Sequence, residues 1–231
     1  MSAAWIQSTS TFTGTGTDNA TATYVTTPTA GNLLVCAMWS YSMNQATGNK
    51  FNTPTDTAGN TYHLAGVLTD TSGNDDGTGI IYYAWDCLTH ASNVVTESVP
   101  AGQSVDVMCC SEYSGVQNTS DPKTTSNTAV VTGGATTQVT LSSVILNSLL
   151  VWIAHQDGTT ITAATPTGSN IRYSDNSIDR VSYCDKLASA SGSVTVGVTP
   201  ADSANGDIIA VAFKIPSSSA PHDPIFFSMD F

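Results

Sequence analysis

Hydrophobic positions mark the chain most clearly at Leu33 to Trp39, where LLVCAMW runs without a polar break. A run of this length fits a strand buried on both faces. Gly31-Asn32 precedes it, a Ser/Tyr/Asn segment follows, and few strong helix formers lie nearby, so the context selects strand over helix. The pattern returns as NSLLVWIAH at Asn147 to His155, an offset of 116 residues. At the same offset Thr21 to Val25 falls on Thr137 to Leu141.

Further matches keep the same order. Ile81-Tyr82-Tyr83 aligns with Val181-Ser182-Tyr183, Val94-Val95 with Val194-Thr195, and Pro100-Ala101 with Pro200-Ala201, all at an offset of 100. Val105 to Met108 aligns with Asp207 to Ala210 at an offset of 102. Two ordered copies are too few for a solenoid. They predict an all-β fold, an antiparallel β-sandwich of jelly-roll type built from two similar halves, each supplying strands to both sheets. The duplicated domain spans residues 1–216, with halves at about 20–116 and 136–215 and a linker and docking strand at 217–231.

Between these anchors, alternation and turn signals predict an opening strand pair or one long edge strand (Trp5 to Gln7 and Thr11 to Thr13). They predict further strands at Asn60 to Leu64, Ile80 to Trp85, Val94 to Val99 and Val105 to Tyr113. The second half reads Gln138 to Leu141, Leu149 to His155, Asn170 to Tyr173, Asp179 to Cys184, Ser193 to Val198 and Ile208 to Ile215. Residues 114 to 136 join the halves, with a short strand at Ala129 to Thr132. Residues 184 to 190 have the composition of a single helical turn.

Composition sharpens the setting. Charged residues make up 10% of the 231, against a usual ~25%, and Thr, Ser, Gly and Asn take their place. The six basic residues are scattered against 18 acidic ones, giving a net charge of −12. Nothing here neutralises a phosphate backbone or favours an anionic membrane. MSAAWIQSTS has neither the basic nor the apolar region of a signal peptide, which implies synthesis in a host cytoplasm. The five cysteines, Cys36, Cys87, Cys109, Cys110 and Cys184, lack zinc-type spacing and read as buried thiols. Cys109 and Cys110, adjacent on a strand, point to opposite faces.

The order GNLLV, DTAGNTYHLAG (Asp56 to Gly66), IYYAW (Ile81 to Trp85), SEYSGV (Ser111 to Val116), LLV and VAFK (Val211 to Lys214) resembles β-sandwich domains of phage structural and tail proteins and of bacterial surface proteins. It is similar in arrangement to concanavalin A-like jelly rolls. The resemblance covers roughly residues 20 to 215. It implies a fold and a virion or cell-surface setting, and no activity.

Candidate chemistry is sparse. A sandwich glycosidase needs two carboxyl groups facing one sugar, and the two glutamates, Glu97 and Glu112, fall on different predicted strands. Glu112 reads as a hydrogen-bonding structural residue. His155 and Asp157 stand at a strand end, but nothing selects a triad, and the chain is read as a non-enzyme with no cofactor. Asp70, Asn74, Asp75 and Asp76 place hard oxygen ligands in one loop, without EF-hand spacing and with ordinary turn chemistry, so no metal is assigned. Trp39, Tyr41 and Trp85 are the aromatic residues a sugar could stack on, yet all lie on or beside core strands.

The C-terminus is the other informative stretch. After a Pro/Ser linker, Ile225, Phe227, Met229 and Phe231 alternate with Phe226, Ser228 and Asp230. An apolar strand of this kind needs a partner, and Ile225, Phe226, Phe227, Met229 and Phe231 are the predicted assembly residues. The expectation is a virion-surface structural protein, a capsid decoration (cement) or head–tail accessory subunit. Its partners would be other virion proteins and further copies of itself, with neither nucleic acid nor membrane. The alternative is a carbohydrate-binding or adhesive module taking a surface glycan.

Overall fold

The computed structural model describes residues 2–12, 19–40, 51–69, 77–99, 105–157, 159–175 and 180–216. The chain is an all-β antiparallel sandwich protein, and its described residues contain strands and no helix. The first half comprises β1 (Ala4–Phe12), β2 (Ala20–Thr23), β3 (Leu33–Ser40), β4 (Thr55–Asp56), β5 (His63–Thr69), β6 (Thr78–Ala84), β7 (Val94–Glu97) and β8 (Val107–Ser114). The second comprises β9 (Lys123–Gly134), β10 (Thr137–Val144), β11 (Leu149–Gln156), β12 (Ile161–Thr165), β13 (Asn170–Ser174), β14 (Val181–Leu187), β15 (Gly192–Pro200) and β16 (Ala204–Phe213).

Each half makes its own pair of sheets. The first builds β1-β8-β3-β6-β5 and β2-β7-β4; the second builds β9-β16-β11-β14-β13 and β10-β15-β12. The two orders are the same once β1 is matched to β9 and so on to β8 and β16. Pairing is nested, β1 with β8, β2 with β7 and β3 with β6, which is the winding of a jelly roll. The expectation that each half contributes to shared sheets is therefore corrected: two jelly rolls stand in tandem.

The five-stranded sheets of the two halves pack face to face. One apolar cluster contains Leu33, Val35, Ala37 and Trp39 of β3 together with Leu149, Val151 and Ile153 of β11. The opposite faces of the same strands enter separate clusters. Leu34, Cys36 and Met38 pack within the first half, and Leu150, Trp152 and Ala154 within the second. The result is four layers, three-, five-, five- and three-stranded. Every residue of β3 and β11 is consequently buried. That is why antiparallel strands here carry the unbroken apolar runs more usual in parallel sheets.

The halves meet as a symmetric dimer would, within one chain. Trp39 and His155 occupy the same position in their halves, opposite Val107 and Asp207 respectively. They stack on each other with ring centroids 4.9 Å apart. Tyr113 of β8 reaches β14, where its hydroxyl meets Tyr183 OH at 3.1 Å and donates to Asp185 Oδ2 at 3.0 Å. The counterpart of Tyr113 is Phe213, which packs on Tyr83 of β6 at 5.1 Å between centroids.

Strand pairing corrects the alignment of the halves. Val35 and Val151 are equivalent, and they face Tyr83 and Asp185, so β6 and β14 align at an offset of 102 rather than 100. Leu33 and Leu149 face Tyr113 and Phe213, so β8 and β16 align at 100 rather than 102. In the small sheets, Ala20 and Ala22 are buried and Thr21 exposed, whereas Thr137 and Val139 are buried. The faces agree only at an offset of 117, because a one-residue slip inverts every side chain.

Other boundaries move as well. The halves begin earlier than expected, at β1 and β9, and β9 extends the short strand expected at Ala129 to Thr132 to Lys123–Gly134. The strand expected at Asn60 to Leu64 lies at His63–Thr69, because Asn60 is spent on a turn described below. The helical turn expected over residues 184–190 is instead strand through Leu187. The short strands β4 and β12 were not anticipated. All five cysteines are buried free thiols, and Cys109 and Cys110 enter opposite cores.

Packing at the interface is tight enough to test. Trp39 lies opposite Gly79, whereas His155 lies opposite Val181; the larger ring requires the smaller partner. A Cβ at position 79 would stand 2.6 Å from Trp39 Cζ3 and 3.1 Å from Ile209 Cδ1 of the other half. Gly79→Ala is expected to cost about 1–3 kcal/mol by overpacking, measured by urea unfolding. Unchanged stability would mean that the interface yields.

Candidate functional site

Buried and half-buried carboxyl groups are the natural place to look for chemistry, and Glu112, Asp185 and Asp56 are consumed by the fold. Glu112, at 0% exposure, accepts from Gln7 Nε2 at 2.6 Å, Thr29 N at 2.8 Å and Asn32 Nδ2 at 2.6 Å. It ties β1 to β8 and both to the turn that launches β3. Asp185 accepts from Arg172 through Nε (2.6 Å) and Nη2 (3.1 Å), from Asn170 Nδ2 (2.8 Å) and from Tyr113. The Arg172 guanidinium also lies 4.5 Å over the Trp5 ring. Asp185 thereby locks one half to the other.

Asp56 organises a loop. It accepts from Asn60 N (2.9 Å), Asn60 Nδ2 (2.7 Å), Asn93 Nδ2 (3.1 Å) and Tyr62 OH (3.2 Å). Burial works to raise its pKa, but these donors prevail and hold it below the usual carboxylate value. Asn60 then accepts from Leu88 N through Oδ1 at 2.7 Å, joining the 56–60 turn to the segment after β6. The DTAGNTY string is thus a self-bonded turn, which explains why its polar residues recur within so few positions.

Glu97 differs from the others. It is 0% exposed, and among the described residues no hydrogen bond of ordinary geometry reaches either oxygen. Burial pushes its pKa up to about 8, only partly opposed by the Asn52 main-chain amide. Its counterpart by strand pairing is Val198, since Ala20 faces Glu97 and Thr137 faces Val198. Glu97 and Glu112 stand on different sheets and form no facing pair. His155 Nδ1 lies 3.9 Å from Asp207 Oδ2, so the histidine faces the neighbouring strand β16 rather than Asp157.

The joined loops shape an open concavity. An open pocket of about 360 Å³ is lined by Gly59, Asn60, Thr61, His63, Trp85 and Asp86. His63 and Trp85 stack at 4.1 Å between centroids and 29° between planes. Tyr83 lies behind them, at 5.8 Å from His63 and 5.7 Å from Trp85. The three rings share a face because His63 pairs with Tyr83 across the strands and Trp85 follows two residues on.

The predicted site residues fare unequally. Trp39 is fully buried, in keeping with core packing, whereas Trp85 is half-buried in the pocket wall. Tyr41, the loop residues Asp70, Asn74, Asp75 and Asp76, and the docking residues Ile225, Phe226, Phe227, Met229 and Phe231 lie outside the described residues. Among the described residues no group of three or more His, Cys, Asp or Glu side chains could hold a metal ion. Sequence reasoning missed His63. The available signal was its alternation with the HLAG strand, which puts it on the face opposite Leu64. Comparison with family models, curated proteins and solved structures finds no match for this chain.

Proposed function

We propose that the chain is a non-enzymatic structural subunit of a phage-type virion, a capsid decoration (cement) or head–tail accessory protein. In this reading its C-terminal segment attaches it to other virion proteins and to further copies of itself at the particle surface. The observation that carries the reading is that both eight-strand windings are complete at Phe213. The alternating apolar segment Ile225 to Phe231 is therefore surplus to either jelly roll. Strand addition to a neighbouring sheet edge would use it, through main-chain hydrogen bonds and alternate side chains in pockets.

The internal chemistry points the same way. Glu112, Asp185 and Asp56 each hold structural elements together, and the resemblance to sandwiches of phage structural proteins suits a rigid building block. Light scattering on the full chain and on a chain ending at Pro216 tests the reading. The full chain is expected to assemble, and the shortened one to be a folded monomer of unchanged melting temperature. Two monomers that melt alike would overturn assembly through this segment.

A further inference from the structure

The second half serves as an internal control for the pocket in the first. By strand pairing, His63, Tyr83 and Trp85 correspond to Asn170, Asp185 and Leu187. None of the three equivalent positions in the second half thus carries an aromatic ring. The corner is also closed there: Arg172, at the irregular position of β13, bonds twice to Asp185 and covers Trp5. The first half has Ala65 at the matching irregularity of β5. The His63 and Trp85 rings and the open pocket are accordingly extra to what the second half needs at this place, while Tyr83 behind them also packs in the interface core.

The pocket is also preformed. Asn60 is held from both sides, by Asp56 and by the Leu88 amide, so that the wall opposite the rings is rigid. Asp86 at the rim adopts a left-handed backbone, φ 53°, a conformation that costs a non-glycine residue energy. His63, Trp85, Thr61, Asp86 and Leu88 line one open concavity, which brings aromatic rings beside a hydroxyl-bearing and a carboxyl-bearing residue. A flat ligand with one apolar face and a hydroxylated edge meets all of these at once.

We propose that the His63–Trp85 pocket binds a neutral hexose ring. The apolar face of the sugar lies against the aromatic wall, and its hydroxyls reach Thr61 and Asp86. Acidic sugars are disfavoured by Asp86 and by the net charge of −12. None of the described lining residues belongs to the C-terminal segment, so the full chain is the protein to test.

Saturation-transfer NMR with free glucose, galactose, mannose and N-acetylglucosamine tests the proposal, at up to about 50 mM because a single small ring on an open wall binds at roughly 1 mM. At least one sugar is expected to receive saturation and to shift the Trp85 indole N–H. Trp85→Leu and His63→Asn install the residues that the second half tolerates at these places, which keeps the fold. Affinity is expected to drop on the order of tenfold in each, the value of one aromatic contact. A drop in either folded variant supports the site. No transfer to any of the four sugars, or transfer unchanged in both variants, overturns it.

Discussion

Replacing Glu112 by alanine is expected to destabilise the protein by roughly 3 kcal/mol. The carboxyl takes hydrogen bonds from Gln7, from the Thr29 amide and from Asn32. Removing it strands three donors around a buried position, each worth about 1–3 kcal/mol when left without an acceptor. Partial access of water at the 29–32 turn keeps the sum below the full total. Glu112→Gln retains one carbonyl acceptor and should fall between. Urea unfolding reads the difference directly. A loss under about 1 kcal/mol would mean that water substitutes for the carboxyl at this turn. Because β1, β8 and the approach to β3 all meet at Glu112, the variant should also loosen the β1 edge, visible as faster amide exchange there.

Glu97 is expected to behave in the opposite way. Its folded pKa is pushed up to about 8 by burial, so the folded state holds a proton that the unfolded chain releases near the ordinary carboxylate value of ~4.3. The folded form binds more protons between these two values, so stability falls as pH rises through that window. Its contribution is intact below the unfolded value and fully lost above about pH 8. The lost amount is on the order of 5 kcal/mol by linkage. Glu97→Val places the residue of the equivalent position, Val198, in the same apolar setting. It should unfold at higher urea than the parent at pH 9, with the gap narrowing toward pH 5. A parent and variant with parallel pH profiles would show that Glu97 finds a partner or water in the folded protein. The two glutamates that a glycosidase reading would pair thus make separate and opposite contributions to stability.

Much of the architecture was legible locally. The runs at Leu33 to Trp39 and Leu149 to Ala154 declared strands covered on both sides, because no polar residue interrupts either parity. The echo GN/NS before them marks one turn, in which Gly31 and Asn147 both take positive φ; glycine and asparagine are the residues that turn admits most readily. That the two halves repeat one succession of strands followed from the order of the matches.

What covers the second face of β3 was not local information. A continuous apolar run states that both faces are buried but names no partner, and only the packing of the two five-stranded sheets shows that the other half supplies it. Register was equally out of reach. Val/Thr-rich strands resemble themselves after a slip of one, while hydrogen bonding across the sheet tolerates no such slip. The short strands β4 and β12 lack an apolar signature because they form the edges of the small sheets and bury little of themselves. The pocket depended on tertiary structure most of all. His63 and Trp85 lie 22 residues apart in the chain and meet because β5 and β6 pair. The corner beside them is open because Ala65 stands where the other half has Arg172. Apolar periodicity records whether a face is buried; which surfaces meet, and where one is left uncovered, is decided by contacts between residues distant in the chain.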